Sequence, residues 1–430
     1  MTTTTTTDTI ATPEPVLAAA APRVISARDR WLVLLAAFLG WMFDGMEMGI
    51  FPLIASPALR HFGYEGASIA QWNGVFHMVF LLGAAVGGLV FGWLGDRIGR
   101  VRAMTFSVLA YSLFTGIGYF STAAWQLAVL RFLAALGMGG EWALGVALVM
   151  EIWPERLRPL LAGLIGAASN VGFALIAGVG MYVKITPESW RWVMLAGAAP
   201  ALLTLFIRLF VPESERWKQQ VVRHGAARPL REIFSGPTLK VTLLGIAFAS
   251  VALIGTWGSV QWIPVWVDKQ LKPGDPTAKA VAQFLSSVGA IVGSLVAPLI
   301  GSLLGRRPTY FLLCAASLAA CGVLFRAFDT YNNTFLFTVF LVGMTTASFY
   351  GWLPLYLPEL FRTRVRATGQ GVSYNTGRIL AAAGAMVAGQ LVAFYDNSYA
   401  ASGATITLVY LAGMALIWLA PETKGKPLPE

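Results

Sequence analysis

Residues 212–239, PESERWKQQVVRHGAARPLREIFSGPTL, form the one long polar break in the chain after its first thirty residues. Apolar runs lie near 31–58, 69–94, 102–121, 124–151, 159–183 and 191–211 before it. Six more lie near 240–268, 279–304, 308–327, 333–357, 366–394 and 399–420 after it. Each run has the roughly 20 mainly apolar residues that a helix needs to cross a hydrocarbon core about 30 Å thick. The pattern predicts an all-α integral membrane protein of twelve transmembrane helices in two six-helix bundles, residues 31–211 and 240–420. Residues 212–239 are the expected linker and 421–430 an expected tail.

Composition agrees. The 430 residues are 57% hydrophobic and 12% charged, against about 25% charged in soluble domains. The opening MTTTTTTDTIATPEPVLAAAAPRVISARDR is rich in Thr, Ala and Pro and reads as a disordered tail over residues 1–30. It lacks a basic start followed by an apolar stretch and cleavage site, so no removable signal peptide is evident and the first span is the expected insertion signal. Cys314 and Cys321 sit seven apart in one apolar run and read as small buried hydrophobes. No cofactor and no metal is expected.

Charge placement sets the topology. Arginines and lysines cluster after the even-numbered spans, in the first tail and in residues 212–239, as in Arg97, Arg100, Arg102, Arg156, Arg158, Arg306, Arg307, Arg362, Arg364 and Arg366. The opposite side carries Arg60, Lys184, Arg191, Lys269, Lys272, Lys279 and Arg326. The positive-inside rule then places both termini and the linker in the cytoplasm, with the chain in the plasma (inner) membrane. The net charge of +10 is therefore mostly topology and no nucleic-acid footprint.

The halves repeat. Pro212-Glu213-Ser214 matches Pro421-Glu422-Thr423 at an offset of 209. Glu151, Arg156, Arg158 and Gly163 match Glu359, Arg364, Arg366 and Gly371 at 208, and Gly95, Gly99 and Arg100 match Gly301, Gly305 and Arg306 at 206. Such parallel repeats place a substrate site at their interface near the midplane.

These residues resemble the major facilitator superfamily. GWLGDRIGR, Gly92 to Arg100, is similar to its G-x-L-x-D-R-x-G-R loop between helices two and three. RFLAALGMGG, Arg131 to Gly140, is similar to its fourth-helix pattern R-x-x-x-G-x-x-G. Within the superfamily GMGGEW and GVSYNTGRILAA resemble the sialate, monocarboxylate, aromatic-acid and metabolite:proton symporters. PESERW and PETKG resemble the sugar porters instead, but their Gln-Gln pairs in helices five and seven are absent. The resemblance implies alternating access, a single functional monomer, and a loop of Asp96, Arg97 and Arg100 that latches the halves while the site faces outward. The second copy has Ser302 and Leu303 where Asp96 and Arg97 stand, so a one-sided latch is expected. Glu151 with Arg156 and Arg158, and Glu359 with Arg364 and Arg366, are the expected ion-pair networks on the same face.

Few charges lie deep in the spans, where each costs about 2.5–3.5 kcal/mol and marks a cavity or a partner. They are Asp44, Glu47, Arg131, Glu141 and Arg378. At a rise of 1.5 Å per residue, Asp44, Glu141 and Arg378 lie roughly 20, 15 and 18 Å from their helix ends, near the midplane, and Arg131 lies about 30 Å from Glu151. Arg378 is the candidate substrate anchor, since its planar fork matches a carboxylate and cannot be deprotonated; a fixed salt bridge to Asp44 or Glu47 is the alternative. Tyr374 and Asn375 share its helix face, and Asn170 is a further polar contact. Asp44, Glu47 and Glu141 are the proton-coupling candidates, with Asp44 and Glu47 a possible coupled pair and Glu141 alternatively paired to Arg131. His77 is a weaker titratable candidate.

Together these readings predict proton-coupled symport of a small organic anion, most readily a monocarboxylate such as lactate or pyruvate, or another organic or sugar acid. The partners are that anion, protons and the bilayer. A sugar or polyol porter is the alternative, and a non-transporting membrane sensor a minor one. No nucleophile–base set or metal-ligand cluster at helical spacing points to an enzyme.

Overall fold

A computed structural model describes residues 26–65, 67–182, 185–224, 229–273, 275–396 and 398–429. The first span is α1, Ala27–His61. Its start is fixed by a reciprocal cap in which Ser26 Oγ accepts from Asp29 N at 3.1 Å and Asp29 Oδ2 accepts from Ser26 N at 3.3 Å. The expected tail therefore yields residues 27–30 to the helix. Next come α2, Ala67–Ile98, and α3, Arg100–Ile117. The fourth span breaks at Gly140 into α4, Ala124–Gly139, and α5, Glu141–Ile152. The fifth is α6, Arg158–Tyr182. The sixth is divided into α7, Trp190–Ala196, and α8, Ala201–Phe210.

The linker is folded. It carries α9, Glu215–His224, and α10, Pro229–Ile233, and the seventh span already begins at residue 236 as α11, Gly236–Gly258. Short helical turns, including α12, Ile263–Trp266, complete that span. The remaining spans are α13, Pro276–Leu304; α14, Arg306–Ala327; α15, Asn333–Leu360; α16, Arg366–Phe394; and the divided pair α17, Tyr399–Ile406, and α18, Val409–Leu416. Among the described residues eleven helical segments are long and apolar enough to cross a membrane. The twelfth apolar run, near 191–211, falls short because α7 and α8 are separate short helices.

The two halves pack as repeats. α2 lies on α4 and α1 on α6 in the first half; α13 lies on α15 and α11 on α16 in the second. Between halves, α2 meets α16 and α6 meets α13. The face that carries both described ends is held by one core drawn from both halves, including Trp142, Leu148, Phe248, Trp352 and Tyr374. Toward the opposite face each half keeps its own cluster, one around Ile54, Phe76 and Trp190 and one around Ile263, Trp266 and Phe335. The molecule is thus closed on the terminal face and divided on the other. Gly88 makes the closure possible, because a Cβ there would collide with the Asn375 amide of α16.

The last residues are not a free tail. Leu428 is buried, and the Pro429 carbonyl accepts from Thr363 N at 3.2 Å and from Arg366 Nη2 at 2.9 Å. They pack against the turn between α15 and α16.

Candidate functional site

Between the halves lies a cavity of about 710 Å³, open side included. α1 and α6 supply Trp41, Met48, Asn170 and Phe173; the second half supplies Trp257, Gln261, Gln283, Tyr350, Tyr374 and Arg378. Of the residues predicted to touch substrate, Arg378, Tyr374 and Asn170 line this space. Asn375 does not: its Oδ1 accepts from Arg378 Nη1 at 3.1 Å while its Nδ2 donates to Gly371 O at 2.9 Å. Asn375 therefore aims the guanidinium instead of meeting a ligand. The guanidinium also rests 5.1 Å from the centre of the Tyr374 ring. Among the described residues no carboxylate pairs with Arg378, although its charge acts on Asp44. The fixed salt bridge considered for it is not formed. Aromatic lining was not foreseen, since an aromatic residue in a membrane span carries no signal of which way it faces.

The carboxylates sort differently from the sequence reading. Glu47 and Arg131 form a buried ion pair, with Arg131 Nη1 2.6 Å from Glu47 Oε1, and Thr115 Oγ1 donates to the same oxygen at 3.2 Å. The guanidinium is sandwiched between Phe51 and Phe80, 4.2 and 4.4 Å from their ring centres. Glu141 is accordingly not the partner of Arg131. It faces Asp44 from across α1 and α5, within hydrogen-bonding reach. None of the four oxygens of Asp44 and Glu141 meets an N–H or hydroxyl among the described residues. Ionised carboxylates only accept, so this contact closes when one of the two carries a proton. Asp44 thus faces Glu141, while Glu47 faces Arg131. Residues three apart on a helix diverge by about 60°, enough to send Asp44 and Glu47 to different neighbours. The His77 side chain lies outside the described ones.

On the terminal face the latch residues converge. Asp96 Oδ2 accepts from Thr368 N at 2.7 Å and Oδ1 from Ala367 N at 3.3 Å, capping α16 of the other half. Arg100 Nη1 is 2.9 Å from Asp96, while Nη2 donates to Glu151 Oε1 at 3.2 Å and to Thr363 O at 2.7 Å. Arg366 reaches Glu151 across the interface at 3.0 Å. The expected local networks are rearranged. Glu151 pairs with Arg100 and Arg366, not Arg156 or Arg158; Arg158 pairs with Glu155 at 3.1 Å, and Arg156 is exposed. Glu359 pairs with Arg306 at 2.7 Å, and Arg364 with Glu232 of the linker at 2.8 Å. The reason is geometric. A 3-10 turn, Glu155–Leu157, leaves Arg156 exposed, and Arg158, buried at the start of α6, turns back to Glu155, whereas Arg100 and Arg306 begin helices that fold back under the glutamates. Arg97 takes no part, lying over Trp93 at 4.8 Å.

The repeat is visible in the knots that close each half. Gly99 and Gly305 have φ of 107° and 104°, a turn that a side chain would strain. Glu213 then accepts from Arg100 N and Val101 N at 2.9 and 3.1 Å, as Glu422 does from Arg306 N and Arg307 N at 2.9 and 3.1 Å. Ser214 and Thr423 hydroxyls donate to Glu151 and Glu359. The two glutamates differ in surroundings. Burial outweighs the backbone donors at Glu213 and raises its pKa. At Glu422, burial is the largest single influence, but donors from Arg306, Arg307, Lys424 and Thr423 together overcome it and lower the pKa. Asp96 itself has no carboxylate counterpart in the second half, where Ser302 stands.

Comparison with known proteins fits this architecture. Residues 31–386 match the profile of the Major Facilitator Superfamily. The chain is 30% identical to the "Probable 4-methylmuconolactone transporter" of Cupriavidus pinatubonensis, over 91% of this chain and 90% of that protein. It is 27% identical to the cis,cis-muconate transport protein of Acinetobacter baylyi, over 88% and 90%. The solved proton:xylose symporter XylE superposes with a TM-score of 0.76 at 17% identity, over 93% of this chain and 97% of that one, which speaks to the fold. Duplicated knots, contacts of Asp96 and Glu151 across the interface and a central cavity accompany a profile match over most of the sequence: the chain belongs to the Major Facilitator Superfamily and is a multi-pass membrane transporter, not an enzyme.

Proposed function

We propose that the protein carries a small organic anion together with a proton across the plasma membrane, its terminal face in the cytoplasm and each monomer acting alone. The observation that carries this reading is Arg378, a permanent cation lining a cavity of polar and aromatic side chains, with no carboxylate paired to it among the described residues. A buried unpaired charge is expensive, and a ligand carboxylate supplies the missing partner through a planar two-pronged contact. The halves 31–211 and 240–420 rock about this site, the Asp96 and Glu151 contacts holding the outward-facing arrangement. The Asp44–Glu141 pair is the proton carrier. Bringing in a monovalent anion against an inside-negative potential costs about 2.3 kcal/mol per 100 mV, and a proton carried with it cancels that charge.

Trp41, Phe173, Trp257, Tyr350 and Tyr374 around the cavity favour a flat, unsaturated acid over lactate or pyruvate. The relative named for cis,cis-muconate is of that chemistry. A neutral sugar would leave Arg378 unpaired. The test is uptake into proteoliposomes of muconate, nicotinate, lactate and xylose under an acid-outside pH gradient. An acid should accumulate, and Arg378→Ala should abolish it. Uptake of xylose alone, or undiminished acid uptake by Arg378→Ala, would refute the proposal.

A further inference from the structure

The substrate arginine and the proton pair sit on different helices, in different halves, and something must make one respond to the other. Arg378 is on α16 of the second half; Asp44 and Glu141 are on α1 and α5 of the first. Between them stands Trp142. Its ring is stacked on Tyr374 with centres 4.3 Å apart and planes 22° apart. Among the described residues this is the one aromatic pair that joins the two halves; each other ring pair stays within one half. Tyr374 carries the Arg378 guanidinium at 5.1 Å. Trp142 directly follows Glu141 in the first turn of α5, just beyond the break at Gly140. Both rings are buried, 2% and 3% exposed.

The contacts form a closed ring: Arg378 on Tyr374, Tyr374 on Trp142, Trp142 joined through the backbone to Glu141, Glu141 on Asp44, and Asp44 in the field of Arg378. A ligand that draws the guanidinium toward the cavity must shift Tyr374 or break its ring contact. Opening a gap of about 0.5–1 Å between stacked rings forfeits roughly a quarter to a half of their contact energy, so Trp142 follows Tyr374 or the contact weakens. Either movement acts on the backbone that aims the Glu141 carboxyl at Asp44. The indole Nε1–H of Trp142 has no acceptor among the described residues. No polar tether therefore fixes the ring against this displacement.

We infer that Trp142 is the positioning residue that couples occupancy of Arg378 to protonation of the Asp44–Glu141 pair, through its stack on Tyr374. The inference rests on the proposed function and adds a residue to which that reading assigns no role. The experiment compares wild type, Trp142→Phe and Trp142→Leu in proteoliposomes with the panel acid that wild type carries, nicotinate first. Two modes are measured: counterflow at equal pH, which needs binding and rocking alone, and uphill accumulation under a pH gradient. Trp142→Leu should keep counterflow within about threefold and lose accumulation at least tenfold, a split that a purely structural residue would not give. Trp142→Phe, which retains a ring to stack, should recover most of the accumulation. Equal accumulation by Trp142→Leu and wild type overturns the inference. So does a parallel fall in both modes for both variants. If wild type itself shows no proton-driven uptake, the proposed function fails first and this coupling with it, a result read before any variant is compared.

Discussion

Replacing Asp96 with Asn should release the terminal face. In the closed arrangement Asp96 accepts from Thr368 N at 2.7 Å and Ala367 N at 3.3 Å, both on the opposite half, and pairs with Arg100 on its own half. Opening breaks the first two contacts and leaves the third, so only the contacts to α16 bias the equilibrium. A hydrogen bond to a charged group contributes about 1.5–3 kcal/mol, and a neutral one roughly half as much. An anion at a helix N-terminus adds about 0.3–1 kcal/mol when exposed and up to about 2 kcal/mol when buried. Asn keeps one oxygen for Thr368 but neither the charge nor the second acceptor. The closed state should lose on the order of 2 kcal/mol, about a 30-fold change in the ratio of outward-facing to inward-facing molecules. Cavity accessibility reads this ratio. Ser286 lines the cavity, and the native Cys314 and Cys321 are fully buried, so Ser286→Cys is the one reactive thiol on a quiet background. The ratio of outside to inside labelling by a membrane-impermeant maleimide should fall by about 30-fold in Asp96→Asn. An unchanged ratio in a variant with normal thermal unfolding would refute the reasoning.

Further outcomes follow from the same geometry. Arg378→Lys keeps the charge but loses the fork and its Asn375 contact, and should weaken binding of a transported acid by roughly 10–100-fold in a titration. Asp44→Asn should retain counterflow and lose proton-driven accumulation. Glu47→Gln strands Arg131 between two phenyl rings, and should lower thermal stability by about 3–5 kcal/mol whatever its transport shows. Glu422 has a folded pKa below its ordinary 4.5, so its contribution is present above 4.5 and lost as pH falls through the lower folded value. The destabilisation by Glu422→Gln should therefore be seen at neutral pH in a thermal melt and shrink toward zero in acid. Glu213, shifted the other way by burial, should show no such protection at neutral pH.

Sequence was most informative where a residue type cannot be placed cheaply. Length and apolarity located the spans, and Arg378 announced itself because a guanidinium near the midplane needs a cavity or a partner. The family resemblance made Asp96 a contact between the halves, and the structure sets it on the N-terminus of α16. Pairing was less legible. Glu151 has Arg156 and Arg158 within seven residues, yet it bonds Arg100 and Arg366, which are far away in sequence. Glu359 likewise bonds Arg306, which stands where Arg100 stands in the repeat, and not the nearby Arg364 and Arg366 that the sequence suggested. Asp44 and Glu47 looked like a pair because they are three residues apart, but a neighbouring helix supplies each with its own partner. Trp142, Trp41 and Phe173 gave no advance notice, because an aromatic ring is at home both facing lipid and facing a cavity.

The duplicated knots have a consequence for how the chain is put together. Glu213 fastens the end of the first half to the start of α3, and Glu422 fastens the end of the second to the start of α14. Each fastening is complete without help from the other half. A break between His224 and Pro229 would therefore leave both pieces with their own clasp, and co-expressed fragments should reassemble into a working carrier. The interface contacts at Asp96, Glu151 and Arg366 would then serve as the recognition code between fragments. Two copies of the second half, having Ser302 in place of Asp96, would lack the Asp96 part of that code.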